Sequence, residues 1–174
     1  EEAADCGLAR VEEVSDQGHV PEVRVVNHAE RPVLIPEGEI IVGLKQTRTV
    51  NVAVMVSVMS ECIVPVSCVE RGRWRMDNRR FRTAHYACPG LRARKNASVR
   101  ASRRRAGVCA SDQAGVWASV SDYLSEAGAH SPTESLADAF EAERNRLDAC
   151  REQARLPDGA VGAVITAGAT ILGL

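Results

Sequence analysis

Between residues 50 and 56 every second position is a valine, with Asn51, Ala53 and Met55 in the gaps. A period of two is what a half-buried strand requires, because successive side chains point to opposite faces. Residues 63–69 form a second β-branched run. Pro65 inside it predicts an edge position or a bulge, since proline has no N–H to give to a ladder. Shorter apolar runs lie upstream at 23–26, 33–35 and 40–42, with turn chemistry at Pro36-Glu37-Gly38-Glu39 between the last two. Few residues join the two best runs, which predicts a hairpin around Met59 and Ser60. Antiparallel pairing would then set Arg48 and Asn51 beside Glu70 and Gly72, a single polar cluster with Gln46 and Arg73 at its margin.

The pattern changes further along. Residues 77–107 carry no clean period and hold turn signals at Asp77-Asn78 and Pro89-Gly90, so they read as a basic, irregular loop region ending in a short helix near 98–105. Val116, Trp117, Val120 and Leu124 then recur at helical spacing, with Ser111 as a cap and Gly128 as a stop, giving a helix over about 112–127. Ser131-Pro132-Thr133-Glu134 has the residue order of a helix start, and Leu136, Phe140 and Leu147 mark its buried stripe over about 132–154. Residues 160–166 and 170–172 suggest a hairpin around Ala167-Gly168. Strands, then helices, then strands predict one α+β domain over 1–174, a mostly antiparallel sheet with two main helices and a C-terminal hairpin. The chain lacks an initiator Met and ends on an apolar residue, which reads as a fragment of something longer.

Composition narrows the function classes. Aromatic residues make up only 3% of the chain, so a base-stacking platform for single strands is hard to build. The six cysteines show no C-x-x-C and no framework typical of small secreted domains, so they read as reduced thiols, with no metal site. No motif calls for a cofactor. No run reaches the ~20 apolar residues of a membrane span, and the acidic amino end lacks a signal core, which predicts a cytoplasmic, soluble domain. The net charge of −1 conceals segregation: residues 71–105 hold 13 Lys and Arg against Asp77 alone, while both flanks are acidic. Such an excess bears on partners rather than on fold.

Candidate chemistry concentrates at the strand ends. Alternation puts Cys68 and Glu70 on one face, as a thiol and base would need, which makes Glu39, Glu70 and Cys68 the catalytic candidates. No histidine lies close in sequence to activate the thiol, so a small buried apolar group is the plainer role for Cys68. Glu70 with Arg71 or Arg73 reads more readily as a structural ion-pair network than as an acid/base pair. Glu39, Gln46, Arg48, Asn51, Glu70 and Arg73 form the ligand-binding set. Arginines would clamp a phosphate, while Gln and Asn would read ribose or base edges.

The stretch from Glu37-Gly38-Glu39 through Gly43, Gln46, Arg48 and Asn51 to Pro65-Val66-Ser67-Cys68-Val69-Glu70-Arg71-Gly72-Arg73-Trp74 resembles a family of bacterial domains associated with ADP-ribosylglycohydrolases and rhodanese-phosphatase proteins. Gln113, Trp117 and the closing residues 159–173 fit the same pattern, whereas Thr47 and residues 77–105 depart from it. The resemblance implies an α+β domain found beside NAD- and ADP-ribose-processing enzymes, with no activity assigned. The expected partner is therefore an anionic nucleotide-like small molecule such as ADP-ribose, bound or processed, with chemistry left open. Two other readings stand: nucleic-acid binding through 71–105, whose charge reads equally well as a solvated face or counter-charge to the acidic flanks, and a structural module that forms homo-oligomers through sheet edges.

Overall fold

The computed structural model describes residues 6–15, 17–76, 82–154, 157–162 and 164–173. Its fold is α+β. Six strands, β1 (Ala9–Glu13), β2 (Glu22–Asn27), β4 (Glu39–Val42), β5 (Arg48–Val50), β7 (Glu61–Cys68) and β8 (Arg82–Tyr86), form an antiparallel half-barrel in the order β1-β2-β7-β5-β4-β8. A second, two-stranded sheet pairs β3 (Val33–Ile35) with β6 (Val54–Val56). Four helices follow: α1 (Pro89–Ala106), α2 (Gln113–Glu126), α3 (Leu136–Ala142) and α4 (Arg144–Gln153). The C-terminal hairpin joins β9 (Ile165–Ala167) to β10 (Thr170–Gly173). No helix among the described residues is long and apolar enough to cross a membrane.

The sheet separates two cores. Val11, Val23, Val25, Ile41, Val50, Val56, Val64 and Val66 fill one side. Ile40, Val69, Leu91, Val116, Val120, Leu124, Leu136 and Phe140 pack the helices against the other. Adjacent Ile40 and Ile41 serve different cores, the period of two made visible. With so few aromatics, both interiors rest on aliphatic burial, roughly 1.5–3 kcal/mol per side chain removed from water.

The valine run of 50–56 is not one strand. It divides into β5 and β6 at Asn51, where the chain leaves the large sheet and β6 crosses to β3. Pro65 lies in a central strand rather than at an edge, and with no bulge there: β7 pairs with β2 through Pro65 and with β5 from Val66 onward. The Pro65 carbonyl accepts Asn51 N–H at 2.9 Å, so the N–H it lacks would face β5 where β5 ends. The missing donor therefore strands no acceptor within the ladder.

Two further corrections concern helices. The region expected to be irregular over 77–107 contains β8 and the whole of α1, 18 residues long, of which the short helix near 98–105 is only the end. Residues 77–81 lie outside the described residues. The helix expected over 132–154 starts at Leu136 and breaks at Glu143 into α3 and α4. Glu134 adopts a left-handed backbone (φ 50°), which excludes it from a helix. Ser131 Oγ still accepts Ser135 N–H at 2.7 Å and donates to Asp138 at 2.6 Å, so it organises the turn before α3. The cap of α2 is Asp112, whose carboxylate accepts Gly115 N–H, while Ser111 is hydrogen-bonded to Ser67.

Candidate functional site

β5 is three residues long, and polar groups gather at both of its ends. At the first end its register sets Arg48 opposite Cys68 on β7. The Arg48 side chain is fully buried and forks onto Glu13 at the end of β1, Nη1 to Oε1 and Nη2 to Oε2, both 3.0 Å. The second Glu13 contact is Lys45 N–H, at 3.0 Å to Oε1. A two-pronged guanidinium–carboxylate pair is among the stronger charge-assisted contacts available to a protein. Nothing in the local sequence around Arg48 identifies Glu13, 35 residues away. Alternation gives the only signal: Ala9 and Val11 are buried, which puts Glu13 on the same inward face.

Glu70 lies two residues beyond Cys68, and its carboxylate accepts five hydrogen bonds. Its carboxylate accepts from Thr47 N–H and Oγ1, from Arg73 Nε and Nη2, and from Thr133 Oγ1, all at 2.7–2.9 Å. Burial alone would raise its pKa; the Arg73 guanidinium, the Thr47 amide and the threonine hydroxyls outweigh that and hold the carboxyl below its usual value. Thr47 thus brings both a backbone and a hydroxyl donor. Arg73 also donates to the Gly43 and Leu44 carbonyls. Gln46 donates to the Glu70 carbonyl at 3.1 Å, and its own Oε1 finds no partner among the described residues.

Cys68 is wholly buried, and its thiol donates to the Glu70 backbone carbonyl rather than to the carboxylate. Burial pushes the thiol pKa up, so the thiolate that nucleophilic chemistry needs is disfavoured. The main chain of Cys68 is read by Gln113, whose amide accepts the Cys68 N–H at 2.9 Å and donates to its carbonyl at 2.7 Å. A side chain here stands in for a neighbouring strand and ties the start of α2 to β7.

The other end of β5 is organised separately. Asn51 falls opposite Pro65, away from Glu70, because the register carries it three residues past Arg48. It donates to the Cys109 carbonyl and accepts from Ser67 Oγ, which meets Ser111. Glu39 is buried at the start of β4, opposite Tyr86. The expected single cluster is therefore two: Gln46, Arg48, Glu70 and Arg73 gather at one end, and Asn51 and Glu39 lie towards the other.

That second end contains a charge the sequence pattern concealed. Lys95 of α1 is fully buried, and its Nζ donates to Glu37 Oε1 (2.8 Å), the Val50 carbonyl (2.8 Å), Asn96 Oδ1 (3.1 Å) and the Asn51 carbonyl (3.4 Å). Arg92 closes on Glu37 Oε2 at 2.6 Å. Burial raises the Glu37 pKa, but the Arg92 and Lys95 donors prevail and bring it below the usual value. Burial pulls the Lys95 pKa below its usual value, an effect only partly countered by Glu37. Leu91, Lys95 and Val99, spaced by four, were the available sign of a buried helix face with a charge at its centre.

One aromatic group emerges above the first cluster. Trp74 is 46% exposed, with the Arg48 guanidinium 5.9 Å and Lys45 Nζ 5.6 Å from its ring centre. Gly18 is pressed against it; a Cβ there would meet the indole and Lys45 at 3.0 Å, and its φ of +78° disfavours any side chain. The exposed Arg71 lies 5.4 Å over a different ring, Trp117, and 3.9 Å from Glu134.

The full chain, residues 1–174, matches the family described as ARPP-1, the ARG and Rhodanese-Phosphatase-superfamily-associated Protein domain. No curated protein and no solved structure matches it.

Proposed function

The chain belongs to the ARPP-1 family, a domain associated with ADP-ribosylglycohydrolase and rhodanese-phosphatase proteins, and from that premise we propose that it is a binding module for an anionic, nucleotide-like ligand of the ADP-ribose or NAD class. The observation that carries this reading is the half-exposed Trp74, whose ring lies 5.9 Å from the guanidinium of the buried Arg48–Glu13 pair and 5.6 Å from Lys45. An indole held by buried charges keeps its orientation without losing entropy on binding, and it offers a base a stacking face. Arg71, exposed and three residues before Trp74 in the chain, would supply a cation for a phosphate. In this reading Gln46, Arg48, Glu70 and Arg73 position the contact surface, and Asn51 and Glu39 fix the far end of β5.

Binding rather than reaction is favoured by the state of the candidate groups. Glu70 is held ionised with five donors on its carboxylate, so it has neither a proton to give nor an open lone pair aimed outward. Cys68 is a buried thiol kept protonated.

A thermal-shift titration tests the proposal, because a ligand that binds only the native state raises the melting temperature by mass action. ADP-ribose or NAD should raise it, adenosine less, and Trp74→Ala should remove the rise while leaving the ligand-free midpoint nearly unchanged. No shift with either compound at millimolar concentration would overturn it.

A further inference from the structure

The outward face of α1 has no counterpart in the site above. The helix contains no acidic residue, and Leu91, Lys95 and Val99 turn inward. Opposite them, Ala93, Ala97, Arg100 and Arg104 follow one another at helical spacing, all exposed, with exposed Arg94, Arg103 and Arg105 alongside. None of these five arginines pairs with a carboxylate among the described residues, whereas Arg92 and Lys95 of the same helix both hold Glu37. Three of the five lie in the last turn, where a cation complements the helix dipole. Arg94 and Arg100 lie outside it, so the dipole does not account for the whole excess.

We propose that this face of α1 docks double-stranded DNA through its phosphates. A helix of 18 residues is about 27 Å long at ~1.5 Å per residue, and a major groove admits such a rod. Alanines between the arginines let the helix backbone approach closely while the guanidiniums reach the strands on either side. The helix carries no aromatic residue, so the stacking that single strands require is missing from this surface. Contacts of this kind position a protein on a duplex without selecting sequence. The inference is independent of the nucleotide-ligand reading, since it uses none of the strand-end residues.

Fluorescence anisotropy of the full chain with a labelled 20-base-pair DNA duplex of arbitrary sequence, repeated across salt concentrations, tests it. Binding should weaken steeply with salt, and the same duplex with a scrambled sequence should bind equally. Arg100→Gln/Arg104→Gln should flatten the log–log salt slope by about 2, one for each lost phosphate contact, with an unchanged melting temperature. Four results would each overturn the proposal: no duplex binding at ~50 mM salt, an unaltered slope in the double variant, tighter binding to single-stranded DNA or duplex RNA, or equal affinity for polyglutamate, which would assign the face to acidic proteins.

Discussion

Lys95 and Arg100 are five residues apart on one helix, and they are opposites. Lys95 is sealed in the protein with four acceptors around its ammonium group; Arg100 stands in solvent with no carboxylate beside it among the described residues. The same contrast separates Arg48, locked to Glu13, from Arg71, which lies on a ring at the surface. A charge taken out of water is tolerable only with its partners in place, so buried cations report how the fold is held. An exposed cation with few internal partners costs the fold little to keep, and its interactions remain available to something else.

Breaking the buried members should be costly and breaking the exposed ones nearly silent. Lys95→Met should lose roughly 3 kcal/mol of stability, because it leaves Glu37 with Arg92 as its cation and takes the ammonium donor from the Val50 and Asn51 carbonyls at the β5–β6 bend. Urea denaturation would show it, and Arg100→Met in the same assay should stay within about 0.5 kcal/mol. Arg48→Met should be similarly severe, and Arg48→Met with Glu13→Leu sharpens the test. If the loss comes from leaving Glu13 alone, removing both partners should restore most of the stability; equal loss in single and double variants would point to packing instead.

Acid should act on the same pairs. Glu37 and Glu70 have folded-state pKa values below their ordinary value of about 4.5. Their stabilising effect is therefore complete above that ordinary value and is lost as pH falls through the lowered ones. Glu70→Gln should flatten the fall in urea midpoint below about pH 4.5. Among the changes that remove a recorded hydrogen bond, the smallest effect belongs to Ser131→Ala, about 1 kcal/mol from the freed Ser135 N–H, with ligand binding untouched.

These same residues explain what could be seen in the sequence. Alternating valines announced the sheet, and the C-terminal hairpin turned where Gly168 permits it. The strand β1 went unseen because its inward face runs Ala9, Val11, Glu13, and a carboxylate in third place ends the apolar signal. Lys95 hid α1 in the same way. Alternation also persisted through the bend at Asn51, since periodicity records which side chains face a core and is blind to which strand receives them. The polar residues of the strand ends were legible by their density. Their partners were not, because Glu13 to Arg48 and Thr133 to Glu70 are contacts across 35 and 63 residues that only folding creates.

The central claim, that a buried charge pair fixes an exposed indole for a nucleotide-like anion, reduces to one optical titration. The chain holds two tryptophans, so Trp117→Phe leaves Trp74 as the sole indole while keeping a ring beneath Arg71. Titrating that variant with ADP-ribose should change Trp74 emission saturably, and Arg71→Ala should shift the curve to higher concentration. Emission that stays flat to millimolar ADP-ribose, in a variant that melts like the parent protein, would contradict the account.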